Sequence, residues 1–302
     1  MNTMRMVWWN VAFSPASNKA KPKGSDDAYK AICAHLKKLF IDYSCDLVAL
    51  CEVSSLDITA ITSQLNLTGI SSLDLANEVG RTRFDIVVLY NNLKLEVSHT
   101  RSLSRVKSGN IIKAAQLIEV RPTDSEKLMK VYLCHWASRL NSGSEIKRKL
   151  AADIVYSSAQ EFMVDGDDVI VMGDFNDNPY DESVHVNLNS SRCHESVIAY
   201  PKEYFYNPFW RSIISENKYS QLLVDKTSFR SGTTKYKQLN GTLWHSYDQM
   251  LFSGSFLGNG DWHLNENVTK VLDDYDFLND FESRNSPIDH LPVLCELTNL
   301  ER

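Results

Sequence analysis

The segment DDVIVMGDFNDNP, residues 167–179, decides how the rest of the chain is interpreted. It begins as an apolar run of the kind that forms a strand covered on both faces. It then ends in the polar residues Asp174 and Asn176. A buried strand gains no stability from a terminal carboxylate, so this ending indicates a functional site at the end of the strand.

Similar apolar runs recur along the chain, and two longer segments show helical spacing of apolar residues. Several strands follow one another without a helix between residues 85 and 136, which favours hairpins and antiparallel pairing. Because no repeat, low-complexity tract or Gly/Ser/Pro-rich linker divides the chain, we expect one domain over residues 1–302. Two packed, mostly antiparallel sheets with helices outside is the architecture that this order favours. The predicted strands cover residues 4–11, 46–53, 85–91, 94–100, 111–120, 128–136, 167–176, 246–253 and 291–297, and the predicted helices cover 26–43 and 144–164.

Composition excludes several classes of protein. The 302 residues are 43% hydrophobic and 23% charged, as in an average globular protein and unlike a disordered chain. The net charge of −6 excludes a polybasic binder, so nucleic acid would have to be bound through a local basic patch or a metal ion. The six cysteines show no C-x-x-C spacing, which argues against a zinc site. With no secretion signal and no apolar run of ~20 residues, we expect a cytoplasmic location and no membrane contact.

Polar side chains stand repeatedly where predicted strands end or begin. Carboxylate and amide oxygens are the ligands of a hard divalent cation, and Mg²⁺ needs only one or two carboxylates because it keeps several waters. Histidines beside such carboxylates suit proton transfer or phosphate stabilisation. The combination predicts metal-assisted cleavage of a phosphate ester. Its members are Asn10, Glu52, His135, Asp174 and Asn176 at strand ends, and Asp248, Asp289 and His290 at or just before strand starts.

Six short motifs in a fixed order resemble the endonuclease/exonuclease/phosphatase superfamily, which includes pancreatic-type deoxyribonuclease and the exonuclease III-like abasic-site nucleases. The chain is most similar to a bacterial branch that reads His-Trp-Pro-Ser-Arg at the histidine strand, although Ala137 replaces the proline here. The resemblance implies an α/β fold, a four-layer α/β/β/α sandwich with the site at one end. The motifs are WN (9–10), CEV (51–53), CHWASR (134–139), GDFNDNP (173–179), SYDQMLFS (246–253) and DHLPV (289–293).

The same resemblance implies a metal site and a phosphate site. Glu52 would be the main metal ligand, with Asn10 beside it as a ligand or phosphate contact and Asp289 completing the site. Asp174 would orient the attacking water or protonate the leaving oxygen, and Asn176 would bind the phosphate. The implied cofactor is Mg²⁺, with Mn²⁺ as an alternative.

The two histidines receive different roles from the resemblance. His290, paired with Asp248, would contact the scissile phosphate and help to activate water. His135 would protonate the leaving group, as the second histidine does in deoxyribonuclease-like members. Asp85 stands where those members keep a carboxylate that holds this histidine, so we expect it to orient His135.

Substrate contacts are predicted mainly for the segment HWASR. Trp136, Ser138 and Arg139 are candidate substrate-binding residues, and Arg139 could grip a phosphate bidentately. Arg148 lies on the second predicted helix and is expected at the surface or in a salt bridge. Three lysines within residues 19–23 follow Asn10 and could contact a phosphate backbone.

Three functions remain open from the sequence. The first is a nuclease, with DNA favoured over RNA as the partner. The second is a phosphatase or phosphodiesterase for nucleotide, inositol phosphate or lipid substrates, although TLWHSYDQ (242–249) lacks the arginine of the inositol-polyphosphate phosphatases. The third is an inactive binding or scaffold subunit, which the complete set of catalytic positions disfavours. The sequence predicts no specific protein partner.

Overall fold

The structure is a computed structural model, and it describes most of the chain. The described residues are 2–15, 25–107, 109–140, 142–215, 217–218, 220–222, 230–236, 241–258, 260–283 and 288–300. The lysines predicted to contact phosphate within residues 19–23 lie outside these residues. The extent of a single domain over residues 1–302 stays a prediction.

Within the described residues the chain forms helices α1–α5 and strands β1–β18. The helices are α1 (Asp26–Ile41), α2 (Ser55–Leu65), α3 (Ser144–Asp165), α4 (His194–Ala199) and α5 (Tyr275–Glu282). The strands are β1 (Asn2–Asn10), β2 (Leu47–Cys51), β3 (Ile70–Asp74), β4 (Asn77–Val79), β5 (Thr82–Phe84), β6 (Ile86–Asn91), β7 (Leu95–Lys107), β8 (Asn110–Pro122), β9 (Met129–His135), β10 (Asp168–Asp174), β11 (Ser190–Ser191), β12 (Phe205–Tyr206), β13 (Thr234–Lys235), β14 (Trp244–His245), β15 (Asp248–Ser253), β16 (Trp262–Leu264), β17 (Lys270–Val271) and β18 (Val293–Asn299).

Two large sheets form the centre of the molecule. The first sheet has the strand order β16-β18-β1-β2-β6-β3, with β17 also paired to β18. The second sheet has the order β11-β12-β15-β10-β9-β8-β7. Most neighbours are antiparallel, whereas three pairs are parallel: β1 with β2, β9 with β10, and the short strands β11 and β12. The expected pairing of two mostly antiparallel sheets is therefore confirmed.

Helices cover the outer faces of both sheets. On the first sheet, Trp9 of β1 makes edge-on ring contacts with His35 of α1 and Phe277 of α5. On the second sheet, Val155 of α3 packs in one buried cluster with Val171 of β10. Burial of these apolar faces drives the layers together. The result is the four-layer α/β/β/α sandwich that the sequence predicts.

The strand directions bring distant parts of the sequence to one edge of the sandwich. The parallel strands β1 and β2 end there together, with Asn10 opposite Cys51. In the second sheet, Asp174 at the end of β10 lies opposite His135 of β9 and Asp248 of β15. Because β15 runs antiparallel to β10, its first residue meets the last residue of β10. We call this edge the polar edge.

The remaining general features are simple. The cysteines are unpaired, and all except Cys193 are buried. None of the described helices is long and apolar enough to cross a membrane.

Candidate active site

The polar edge collects nearly all the residues that the sequence singles out. It holds two imidazoles and several carboxylates within hydrogen-bond or ion-pair distance of one another. Asp289 is exposed beside His290, and its backbone carbonyl accepts a hydrogen bond from Thr234. The residues brought together by direct contacts are Asn10, Glu52, Asp85, His135, Asp174, Asn176, Asp248 and His290.

His290 is held by Asp248. Its Nδ1 lies 2.7 Å from Asp248 Oδ2, and the carboxylate is fully buried. Burial of the imidazole lowers its pKa, but the charge and hydrogen bond of Asp248, with the charges of Asp174 and Asp289, outweigh burial and raise the pKa of His290 well above its usual value. With Nδ1 engaged, Nε2 is the ring nitrogen left for a substrate.

His135 is held in the same way by Asp85. Its Nδ1 lies 2.9 Å from Asp85 Oδ2, so the structure places Asp85 where an orienting role would put it. Burial lowers the pKa of His135, but Asp85, Glu52 and Asp174 together raise it to about 9. The carboxyl of Asp85 responds in the opposite direction: burial raises its pKa, yet His135 and Lys113 lower it to about 2.

Asp174 lies between the two imidazoles. Its Oδ2 accepts a hydrogen bond of 3.0 Å from Asn10 and is 4.0 Å from His290 Nδ1, and its Oδ1 accepts the backbone N–H of Asn176 at 2.9 Å. Burial and the charge of Asp248 raise the pKa of Asp174, against the opposing effect of both histidines. Gly173 permits this geometry, because a Cβ there would lie 2.2 Å from the carbonyl oxygen of the neighbouring strand.

Glu52 is the carboxylate best suited to a cation. It is the residue after β2, and its backbone has a φ of 58°, which is rare for a residue other than glycine. Its Oε1 lies 3.4 Å from Asn10 Nδ2 and 3.7 Å from His135 Nε2, and no described lysine or arginine forms an ion pair with it. Burial raises the pKa of Glu52, and the charges of Asp85 and Asp289 raise it further, whereas His135 lowers it.

A divalent cation fits this donor set. The side chain of Glu52 is only 18% exposed, and its ion-pair partner among the described residues is the imidazole of His135, 3.7 Å away, with no lysine or arginine beside it. The carboxylate oxygens of Glu52 match the preference of Mg²⁺ or Mn²⁺ for hard donors, and Asp289 is an exposed carboxylate at the same edge. Asn10 presents its Nδ2 to Glu52, while its Oδ1 accepts the backbone N–H of Ala12 at 3.0 Å. A buried carboxylate without a permanent positive partner is expensive unless it coordinates a metal.

A second group of potential ligands is less suitable. Ligand atoms of Asp174, Asp248 and His290 all lie within 4.8 Å of one another. However, Asp248 and His290 already satisfy each other, and a histidine must be neutral to bind a metal. The ring nitrogen that faces these carboxylates, Nδ1, is engaged with Asp248 Oδ2 at 2.7 Å and is therefore not open to a cation.

Two arginines build a network under the loop that follows β10. Arg148 is buried, and its Nε donates to Asp177 Oδ2 at 2.7 Å, which decides the predicted alternatives in favour of a salt bridge. Arg139 donates from Nη2 to Asp177 Oδ1 at 2.5 Å and also pairs with Asp181. Its Nε donates to the backbone carbonyl of Asn176 at 2.8 Å. Arg139 is thus next to the site but already bound to carboxylates.

The structure does not place Trp136 where a substrate could reach it, which corrects one sequence-based prediction. The side chain is 2% exposed, its indole N–H donates to Ala114 O at 2.8 Å, and its ring packs edge-on against Phe175. On a strand, successive side chains face opposite ways, so Trp136 points into the outer core when His135 points to the site. Ser138 is half-buried in the loop that follows.

Two supporting residues were not predicted as members of the site. Thr233 donates from Oγ1 to Asp248 Oδ2 at 2.7 Å, and Lys113 Nζ lies 3.7 Å from Asp85 Oδ1. Thr233 belongs to a segment with no apolar pattern, and Lys113 stands in the middle of a strand. Thr233 stands in the segment GTTKY (232–236), which also resembles the bacterial branch, but the sequence does not assign it to Asp248. Lys113 gives no signal in a single sequence, since it acts through a residue remote in the chain.

Comparison with known proteins agrees with this geometry. The family model described as "Endonuclease/Exonuclease/phosphatase family" matches residues 11–288. None of the curated proteins matches the chain.

Solved structures share the fold over nearly the whole chain. The human nocturnin catalytic domain with bound sulfate anion is 16% identical, covering 99% of this chain and 95% of that chain with a TM-score of 0.58. TDP2 of D. rerio, complexed with a single strand DNA product, is 12% identical over 99% of this chain and 100% of that chain, with a TM-score of 0.60. A mannosyl-6-phosphatase of Bacteroides thetaiotaomicron is 14% identical over 98% of this chain and 99% of that chain, with a TM-score of 0.55.

Proposed function

The chain belongs to the endonuclease/exonuclease/phosphatase family of metal-dependent phosphoesterases, and we propose that it hydrolyses phosphodiester bonds of nucleic acid, with DNA as the favoured substrate. The bacterial branch of the family stays a prediction. The observation that carries the proposal is the presence of two imidazoles, each held by its own buried aspartate, on either side of Asp174.

Two separately held imidazoles suit a diester better than a site with one. Hydrolysis of a nucleic-acid diester releases a poor leaving group, which needs a proton as it departs. We assign that proton to His135, and the contacts that support the assignment are those of Asp85 with its Nδ1 and of Glu52 with its Nε2. His290 is free to contact the scissile phosphate through Nε2, because Asp248 fixes its other nitrogen.

The remaining polar residues complete the reaction in this proposal. Asp174 accepts hydrogen bonds from Asn10 and from the backbone of Asn176, and it orients the attacking water. Protonation of the leaving oxygen by Asp174 in place of His135 is its alternative role. Asn176 binds a phosphate oxygen. Its backbone φ of 52° and the hydrogen bond from its Nδ2 to Trp136 O fix its orientation.

Glu52, Asn10 and Asp289 would hold the cation, with Mg²⁺ proposed and Mn²⁺ as the alternative. A divalent cation bound there supplies charge neutralisation for the phosphate and for the developing leaving oxygen. The chain itself contributes the fixed position of Glu52, whose backbone lies between Ser14, which donates to its carbonyl at 2.5 Å, and the start of α2.

Support for nucleic acid comes from the site and from one relative. TDP2 of D. rerio is complexed with a DNA product, and His135 and Arg139 match the pattern of deoxyribonuclease-like members. The mannosyl-6-phosphatase relative and the net charge of −6 are the observations that favour a smaller phosphate ester instead. The substrate is therefore the point that an assay must decide.

The test is a substrate panel with purified protein. Supercoiled plasmid, single-stranded DNA, RNA, bis(p-nitrophenyl) phosphate and p-nitrophenyl phosphate are each incubated with Mg²⁺, Mn²⁺ or EDTA. We expect EDTA-sensitive cleavage of DNA and of the synthetic diester. Turnover of the monoester alone would overturn the nuclease proposal in favour of a phosphatase.

Two variants control this assay. Glu52→Gln and His290→Ala, purified in the same way, should each lose roughly 10²–10⁴-fold in rate. Equal nuclease activity in these variants and in the wild type would identify a contaminating nuclease or reject the assigned site. Glu52→Gln should also weaken Mg²⁺ binding in calorimetry, whereas His290→Ala should leave it unchanged.

A further inference from the structure

Two adjacent tryptophans on β1 reach the same catalytic histidine from opposite sides of the first sheet. Trp8 and Trp9 are both fully buried. Because successive side chains on a strand face opposite ways, Trp8 points between the two sheets and Trp9 points towards the covering helices. Each has a single polar atom, the indole N–H, which needs a partner when it is buried.

Trp8 contacts the carboxylate of Asp248, which holds the imidazole of His290. Its Nε1 donates to Asp248 Oδ1 at 3.2 Å, across the gap between the sheets. The other oxygen, Oδ2, accepts from Thr233 Oγ1 and faces His290 Nδ1, each at 2.7 Å. The indole therefore fixes the rotation of the carboxylate by occupying the oxygen that the histidine does not use.

Trp9 contacts the main chain of His290. Its Nε1 donates to the carbonyl oxygen of His290 at 2.9 Å. The ring packs edge-on against the stacked rings of His35 of α1 and Phe277 of α5. The contact matters because His290 lies in the connection before β18, where its backbone forms only an isolated bridge with Thr234 and no continuous strand pairing. The indole of Trp9 therefore adds a hydrogen bond to a main chain that the sheet ladder does not hold.

We propose that Trp8 and Trp9 are positioning residues that fix His290 at both ends, Trp8 through the Asp248 carboxylate and Trp9 through the His290 main chain. The inference rests on the proposed function, because it assigns a purpose to the position of His290. A geometric fit of this kind affects rate strongly, since a displacement of about 1 Å can cost roughly a hundredfold. Packing alone would not require both indole N–H groups to end on one residue pair.

A third tryptophan supplies a matched control. Trp262 of β16 is also buried, but its indole N–H has no hydrogen-bond partner among the described residues. It pairs with Asn299, which also pairs with Asn2, so it lies at the end of the sheet opposite the polar edge. Replacing it with phenylalanine removes a similar ring without removing a hydrogen bond to the site.

The experiment compares Trp8→Phe, Trp9→Phe and Trp262→Phe in steady-state hydrolysis of bis(p-nitrophenyl) phosphate and in cleavage of single-stranded DNA. We expect kcat to fall about 10- to 100-fold in the first two variants with KM within about twofold, and to stay near wild type in the third. Thermal unfolding of all three tests whether a loss of activity merely follows a loss of folded protein.

A spectroscopic measurement makes the proposal independent of turnover. The proton on His290 Nδ1 that bonds to Asp248 should give a downfield NMR signal, identified by its loss in His290→Ala. Trp8→Phe and Trp9→Phe should shift or broaden this signal, and Trp262→Phe should not. An unchanged signal together with kcat within about threefold of wild type in both variants would overturn the proposal.

Failure of the proposed function would look different. If His290→Ala kept full activity, the catalytic role of His290 would be rejected, and with it the positioning role. If His290→Ala were inactive while both tryptophan variants stayed active, the proposed function would stand and only this inference would fall.

Discussion

In the two imidazole–carboxylate pairs of the site, the histidine and the aspartate come from opposite sheets. In one pair, His135 comes from the second sheet and Asp85 from the segment just before β6 of the first sheet. In the other pair, His290 comes from the segment before β18 of the first sheet and Asp248 from the second sheet. Each pair therefore ties the two sheets together, and neither sheet carries a complete pair.

The supports of the two carboxylates differ. Asp85 lies 3.7 Å from the ammonium of Lys113, whereas Asp248 accepts hydrogen bonds from the neutral groups of Trp8 and Thr233. A neighbouring cation stabilises the charge of a carboxylate, while neutral donors at both oxygens fix its orientation as well. Asp85 is therefore supported mainly by charge, and Asp248 mainly by hydrogen bonds that fix its orientation.

The largest expected effect separates the roles of the two histidines. His290→Ala should lose roughly 10²–10⁴-fold on both DNA and bis(p-nitrophenyl) phosphate, because both have a phosphate to contact. His135→Ala should lose a similar factor on DNA but less than about tenfold on the synthetic diester, whose leaving group departs without a proton. Equal losses of His135→Ala on both substrates would contradict its role as the acid.

Removing the charge of the carboxylate that holds each histidine tests the two pairs through the partner of the imidazole. Asp248→Asn and Asp85→Asn keep an oxygen acceptor for each imidazole but remove its negative partner, and each should reduce kcat about 10- to 100-fold. Asp85→Asn should again affect DNA more than the synthetic diester. If Asp248→Asn showed the same substrate dependence, the two pairs would not be functionally distinct.

The groups behind the carboxylates should have smaller effects. Thr233→Val removes a hydrogen bond to a charged acceptor and should cost about tenfold in kcat. Lys113→Met removes a cation that does not touch a histidine, and about threefold is expected. Steady-state kinetics on both substrates measures the kcat of each variant. A larger loss in Lys113→Met than in Thr233→Val would contradict the conclusion that charge supports Asp85 and that orientation is the main support of Asp248.

The smallest effect is on stability and depends on pH. Because the folded-state pKa of Asp85 is lowered to about 2, its ionised form stabilises the fold above the pKa of the unfolded chain, near 4, and loses this contribution as the pH falls towards 2. Wild type should exceed Asp85→Asn by about 2 kcal/mol in urea unfolding at pH 6, and the gap should narrow below pH 4. A gap that is constant from pH 6 to pH 3 would contradict the lowered pKa.

Much of the fold and the site could be predicted because both depend on local pattern. The apolar runs gave β9, β10 and β15 within a residue or two, and their polar ends marked His135, Asp174 and Asp248. The prediction at 94–100 was too short, since β7 continues to Lys107. Its second half is largely polar because β7 is an edge strand with one exposed face.

The rest depends on contacts that no local pattern encodes. The helix α2 was missed, although Ser54 and Asp57 form a capping box at its start, because its β-branched residues weaken the helical signal. The burial of Trp136 and the reach of Trp8 to Asp248 follow from the facing of strands in three dimensions. Sequence spacing alone could not assign either.

The left-handed backbone of Glu52 has a consequence for how the site tolerates mutation. A φ of 58° costs a residue with a side chain on the order of 1 kcal/mol, which glycine would not incur. Glycine would also remove a carboxylate whose charge burial disfavours. Selection for the amount of folded protein and selection for activity should therefore favour different residues at this position. A mutational scan scored by folded protein would favour Glu52→Gly, whereas a scan scored by hydrolysis would eliminate it.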